Sequence, residues 1–379
     1  MSLLPPLLAL LGSSPAPSDL DPALPYRAEK VDPVVTDVDF TAVVTAPEGT
    51  KLLRVWLPIP PSDGAQEVLS SAIETFPSRV EPRIGEEPLF GNRFAYFEFP
   101  DPKGGQSIRH RFRIRVHELR FHLDPERVER VENWPESFAP YLRSETQAVV
   151  VSPAVREAAT AAVPRPAGGA LDYARVVDWV DASLRYDHGR ASLRASSEWA
   201  LENRAGHCSD YHALCSAIGR ALGYPTRVTY GMNLFPKNSP SHCKAEVFLP
   251  PVGWVSFDVS ETQRLCARIG ADPSLDEARK AELVAAAKRR LHEGFRDNTW
   301  CLLTRGTDYD LAPPASRRVP VVRTLYAEAD GVALPDPDPG DPAKREFGWM
   351  TVHSFTPDRT VPYPFKDWRT LEPVRGGAR

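Results

Sequence analysis

The chain lacks four things, and each shortage removes a class of function. It has no excess of basic charge: Lys and Arg number 46 against 50 Asp and Glu in 379 residues, for a net charge of −4, so no positive field draws in nucleic acid. It has no C-x-x-C spacing. Its five cysteines are an odd count, which argues against a disulfide framework or a thiolate zinc site and leaves at least one thiol free. No apolar run approaches the roughly 20 residues that cross a bilayer, so no integral membrane segment is expected. No D-x-[DN]-x-[DN]-G loop is present, so calcium is not expected, and no other cofactor or metal is called for. Glycine is scarce beside proline, 23 against 39, which predicts stiff, irregular connections. No internal repeat interrupts this picture.

What is there reads as a mixed α+β chain. Residues 1–30 form a leader or signal-like segment. Leu3 to Leu11 is apolar, but it contains Pro5 and Pro6 and no Lys or Arg precedes it, a pattern that leans slightly toward export. From 31 to 150 the pattern has period two, over Val34 to Val44, Lys51 to Leu57, Arg93 to Phe99 and Ile108 to Phe121, and predicts a β-sandwich-like domain with a connector that Trp134, Pro135 and Tyr141 pack onto a neighbour. Residues 151–331 form the expected core, with helices over 153–163 and 170–186, a short capped helix after Ser196, and a charged, Ala-rich, exposed helical insertion near 272–293. The segment 299–327 turns strand-like again and is expected to close the core sheet. The extension 332–379, with the DPDPGDP run at 336–342, reads as turn and tail.

The chemistry lies between residues 203 and 262. From Cys208 onward, Tyr211, Leu214, Cys215, Ile218 and Leu222 recur at the spacing of a buried helical face, and Gly223 with Pro225 ends it. Cys208 therefore sits in the first turn of a helix, where the free N–H groups and the dipole favour a thiolate and can bind an oxyanion. Gly206 would let the backbone turn so that the sulfur faces a cleft. Residues 242–249 alternate, a Pro-Pro-Val-Gly turn follows, and a second strand runs from Trp254 to Asp258. The hairpin brings His242 near Asp258, which would hold the imidazole tautomer while the other ring nitrogen faces the sulfur. Cys215 and Cys301 read as small buried hydrophobes, Cys243 as facing away from His242, and Cys266 has no clear context. His212, one turn after Cys208, could pair with it on a metal, but no second pair has ligand spacing. His207 adjoins the thiol and would tune it or line the cleft. A second oxyanion donor must come from upstream, with the indoles of Trp179 and Trp199 as candidates.

The motifs Gly206-x-Cys208-x-Asp210-Tyr211, Leu222-Gly-Tyr-Pro-Thr-Arg-Val228, His242-Cys-x-Ala-Glu-Val247 and Gly253-Trp-Val-x-Phe-Asp258 together resemble the transglutaminase-like superfamily, specifically over 171–263 and loosely to about 331. That resemblance implies a papain-like core in which Cys208 is the nucleophile, His242 the general base and acid, and Asp258 the orienting carboxylate, acting on a protein or peptide amide through a thioester. Hydrolysis is the first expectation, cross-linking of glutamine side chains the second, and a non-catalytic binding scaffold an alternative from another class. Relatives commonly carry Trp two residues after the His, where this chain has Lys244. By strand alternation Lys244 shares His242's side, at the cleft edge, where it would favour an acidic substrate, lower the His pKa, or be a neutral change at a solvated rim. With the loop Met232 to Ser241, polar in Asn, Pro and Ser, it suggests water access.

Overall fold

The computed structural model describes residues 19–126, 131–236, 240–335 and 347–372. The Leu3 to Leu11 stretch and the 336–342 run lie outside those residues. The described elements run β1 (Glu29–Thr45), β2 (Leu52–Ile59), β3 (Gln66–Phe76), β4 (Arg83–Glu86), β5 (Arg93–Pro100), β6 (Gly105–Arg120), α1 (Ala139–Leu142), α2 (Pro153–Ala162), α3 (Gly169–Ser183), β7 (Arg185–Tyr186), α4 (Ser197–Asn203), β8 (Ala205–Gly206), α5 (Cys208–Ala221), β9 (Thr226–Asn233), β10 (Ser241–Leu249), β11 (Gly253–Phe257), α6 (Val259–Ala271), α7 (Glu277–His292), β12 (Phe295–Arg296), β13 (Trp300–Arg305), β14 (Tyr326–Ala329), β15 (Val332–Ala333) and β16 (Gly348–Pro357).

The strands of the N-terminal half form two sheets together with β12, β14, β15 and β16 from the C-terminal half. One has the order β12-β6-β1-β16 with β3 also on β6, and the other the order β15-β14-β2-β5-β4. Alternation decides the facing surfaces: Val38, Phe40, Ala42 and Val44 of β1 and Ile108, Phe112 and Ile114 of β6 meet Leu53, Val55 and Leu57 of β2 and Phe97 and Phe99 of β5 in one core. On the outer face the polar half of the same pattern forms cross-strand ion pairs, with Arg109 on Asp39 at 2.5 Å, Arg113 on Asp37 at 3.3 Å, Arg111 on Glu74 and Arg115 on Glu67. The strand β3 escapes the sequence pattern because most of its residues are exposed on both faces, as befits a strand at the edge of its sheet. β16 escapes it as well. The extension read as turn and tail instead contributes this ten-residue strand, antiparallel to β1.

The second half is organised on an antiparallel sheet β11-β10-β9-β13, so the 300–305 segment does close it. β9 is buried at every residue, which leaves no alternation to read. Helix α5 packs on this sheet and is buried from Ser209 to Arg220, so it has no exposed face: α2, α3, α4 and α6 wrap it. The connector docks as expected. Trp134 donates its indole N–H to the Gly223 carbonyl at 2.9 Å, and Tyr141 packs edge-on to Trp254 at 4.9 Å.

The region near 272–293 does hold one helix, α7, but it is not wholly exposed, and a further helix, α6, precedes it. α6 follows Asp258 directly, and α7 buries Leu283, Ala287 and Leu291, the first two against Leu265 and Ile269 of α6. Across these helices lies the chain after β16. Arg290 donates to the Pro364 carbonyl at 2.8 Å, Arg268 to that of Phe365, and Trp368 to Asp272 at 3.0 Å.

Candidate active site

Cys208 is the first residue of α5 and is half-buried. Asp210 fixes that corner: it accepts from the His207 N–H at 3.2 Å, the Ser192 N–H at 3.1 Å and the Ser192 hydroxyl. The structure gives Gly206 a different purpose from a sharp turn. A Cβ there would stand 2.7 Å from both Cβ and Oδ2 of Asp210, so glycine is required by close approach.

His242 is the second residue of β10, and Asp258 caps α6. The imidazole Nε2–H donates to Asp258 Oδ2 at 2.6 Å, with both side chains buried. Oδ1 of the same carboxylate accepts the Glu261 N–H at 3.1 Å and the Ser260 hydroxyl at 3.3 Å, so the start of α6 stabilises its charge. Burial pushes the Asp258 carboxyl up, but the charges of His242 and Lys244 outweigh it and hold it well below the usual range. With Nε2 committed to Asp258, the other ring nitrogen of His242 is the one that meets Cys208. Burial alone would depress the imidazole. Asp258 and then the Cys208 sulfur reverse that and raise it to about 9.

The Cys208 thiol is held well below its ordinary value, first by a hydrogen bond from Cys243 and then, against the opposing effect of burial, by the charge of His242. The pair can therefore rest as thiolate and imidazolium, a nucleophile with a proton donor beside it.

The Cys243 contact corrects its reading. Cys243 does lie in opposite phase to Lys244, but the face it shares is the one that carries α5, which brings it to Cys208 and within 3.5 Å of His212 Nδ1. Burial raises its pKa well above that of a free thiol, so it serves as a donor. His212 is fully buried, with Nε2 3.6 Å from Asp258 Oδ1, and burial lowers its pKa to about 4, so it stays neutral. Among the described residues no cluster of His, Cys, Asp or Glu could hold a metal ion.

Lys244 is the largest departure from expectation. It does share His242's side, but it is 1% exposed and lies nowhere near a solvated rim. Its ammonium bridges Asp258 Oδ2 at 2.7 Å and Asp297 Oδ1 at 2.9 Å, roofed by the rings of Phe365 at 4.8 Å and Trp300 at 5.3 Å. Burial opposes its charge, yet the two carboxylates raise its pKa. A contact with an acidic substrate is excluded by that burial, and the His242 pKa is raised rather than lowered. The loop Met232 to Ser241 is drier than its composition suggests, because Met232, Asn233, Leu234, Phe235 and Pro240 are buried and residues 237–239 lie outside the described set.

Of the two indoles, Trp199 has its N–H committed elsewhere. Trp199 gives its N–H to the Arg190 carbonyl at 2.9 Å, and Trp179 carries the Arg204 guanidinium over its ring at 5.5 Å. Sequence reasoning also missed Asp210 as the post of the Cys208 corner, and Asp297. The Asp-Tyr of the first motif was the one signal for Asp210, and none pointed to Asp297.

Residues 159–259 match the family model of the transglutaminase-like superfamily, so the chain carries a transglutaminase-like core. Over 90% of this chain and 97% of the other, it superposes with a TM-score of 0.60 and 14% identity on a protein of Cytophaga hutchinsonii described as a candidate cysteine protease. The periplasmic domain of TgpA from Pseudomonas aeruginosa aligns over 62% of this chain and 89% of its own, at 14% identity and a TM-score of 0.33. No curated protein matches the sequence. Among the described residues no helix is long and apolar enough to cross a membrane.

Proposed function

We propose that this chain is a thiol-dependent enzyme that cleaves an amide bond of a protein or peptide through a thioester on Cys208, with His242 as proton carrier and Asp258 as its orienting carboxylate. The observation that carries the reading is the placement of a pKa-depressed thiol at a helix N-terminus against an imidazole whose far nitrogen is 2.6 Å from a buried carboxylate. The thiolate attacks the amide carbonyl, the N–H groups of the first turn of α5 bind the developing oxyanion, and the His242 imidazolium gives its proton to the departing amine as the C–N bond breaks. Neutral His242 then takes a proton from water as that water attacks the thioester, releasing the acid and restoring the ion pair.

Hydrolysis is favoured over amine transfer because Cys208 is half-buried, so water reaches the thioester. The likeness of fold to a candidate cysteine protease agrees with this direction. The test is mass spectrometry of the products of peptide and glutamine amides in the presence of an isotopically labelled primary amine, with Cys208→Ala as blank. Free acid should dominate. Predominant amine incorporation would make the enzyme a cross-linking transglutaminase, and no Cys208-dependent product across a broad amide set would leave the scaffold reading.

A further inference from the structure

With the Trp199 N–H committed to the Arg190 carbonyl, the N-terminal turn of α5 still needs a second donor for the oxyanion, and the chain before Cys208 supplies a different candidate. Strands β7 and β8 pair in parallel and set Tyr186 beside Gly206, two residues ahead of Cys208. The pairing is pinned on both sides of Tyr186, by the Arg185 N–H on the Arg204 carbonyl at 3.0 Å and the Asp187 N–H on the Gly206 carbonyl at 2.8 Å. The ring is held as well. The Arg264 guanidinium lies over it at 4.8 Å, itself anchored by Glu261 at 2.6 Å, and Tyr211 packs against it at 6.1 Å. Tyr211 in turn donates to Gln263, whose amide grips the Asp181 and Leu184 carbonyls at 2.7 and 2.9 Å, just upstream of Tyr186.

The Tyr186 hydroxyl has no hydrogen-bond partner among the described residues, and its ring is half-buried rather than sealed in the core. Among the described residues the hydroxyls of Tyr173, Tyr230 and Tyr309 also lack a hydrogen-bond partner, but those side chains are sealed in the core. We propose that the Tyr186 hydroxyl is the second oxyanion donor of the Cys208 site, acting with the first-turn N–H groups of α5. This rests on Cys208 being the nucleophile. Burial and then the Cys208 charge push the phenol far above its ordinary pKa, so it remains a donor across the working range. As the C–S bond forms, the carbonyl π pair moves onto oxygen, and that oxygen accepts the Tyr186 O–H hydrogen bond. Tyr186 keeps its proton throughout. The proton that the leaving amine needs comes from His242.

Tyr186→Phe removes one oxygen and keeps the ring. Two probes separate its effect on the oxyanion from any effect on the sulfur. Iodoacetamide alkylates a thiolate without forming an oxyanion, whereas p-nitrophenyl acetate acylates it through one. In the full chain, with Cys208→Ala as blank, Tyr186→Phe should alkylate within about twofold of the parent. It should acylate about 100-fold more slowly, with the loss in kcat rather than KM. Acylation at the parental rate, or equal losses with both probes, overturns the assignment of Tyr186 while leaving Cys208 as nucleophile. A parent whose acylation matches the Cys208→Ala blank overturns both.

Discussion

Replacing Lys244 by Met removes an ammonium that two buried carboxylates share. At an effective dielectric of about 20, a contact of 2.7 or 2.9 Å has a gross attraction of about 6 kcal/mol. Most of that offsets the cost of taking three charges out of water, so the gross figures do not add to a stability. What the substitution leaves behind decides the outcome. Asp258 keeps His242 and the start of α6, but Asp297, 3% exposed, keeps among the described residues only the Thr299 hydroxyl, at 2.5 Å, as a side-chain hydrogen-bond partner. Breaking a buried pair from one side typically costs about 3–5 kcal/mol, so Lys244→Met should destabilise by about that much in urea denaturation. The double variant Lys244→Met, Asp297→Asn removes the orphaned charge and should recover at least half of the loss. The same substitution takes a competing cation off Asp258 Oδ2, so His242 should lose its proton at a pH above the parent's value of about 9. A Lys244→Met chain within about 0.5 kcal/mol of the parent, with an unmoved basic limb in its pH profile, would refute the buried bridge.

Turnover should depend on pH as the ion pair dictates. The acidic limb falls well below the usual thiol range, because the Cys208 pKa is depressed, and the basic limb falls at about 9, where His242 gives up the proton that the leaving amine needs. The sign for stability follows. A group raised from 6.5 to about 9 contributes stability that is fully present below 6.5 and is lost as pH rises through 9, so the parent, compared with His242→Gln, should lose its relative advantage over that window in denaturant melts. Gly206→Ala should force Asp210 from its place and cost about 1–3 kcal/mol, with a slower alkylation of Cys208 by iodoacetamide. An unchanged rate would mean that Asp210 does not position the thiol.

How much of this was legible depended on the distance in sequence over which each contact is made. Cys208 could be placed because a helix start is a local signal. His242 and Asp258 could be paired because one hairpin carries both. That hairpin pairs Ala245 with Phe257, and one further step sets Lys244 across from Asp258, so His242 reaches the carboxylate diagonally. Period two alone cannot supply this register. The side of the strand that Lys244 occupies was readable, but its burial was not, because the partners that bury it come from 53 and 121 residues downstream, at Asp297 and Phe365. The first follows a two-residue strand and the second a Pro-rich stretch, and neither has a periodicity to read. β9 was obscured for the opposite reason: an element buried on every side loses the alternation that marks a half-buried one.

The same downstream segments account for a lysine where relatives of this core commonly carry tryptophan. An aromatic two residues after the His would seal the Asp258 side of the sheet with its own ring. Here the ring comes from elsewhere: Phe365 and Trp300 stack on the ammonium, and Arg290 in turn lies over Phe365 at 5.0 Å and ties down the Pro364 carbonyl. The cation and Asp297 enter together, so the added charges cancel, and the buried cluster gains no net charge that would oppose the thiolate or the imidazolium. Water is still kept from Asp258, as its 1% exposure requires, but by the C-terminal segment and α7 rather than by the strand. The orientation of His242 therefore depends on a chain segment more than 100 residues away in sequence, which ties the C-terminal extension to the chemistry even though none of its residues is assigned a step in it.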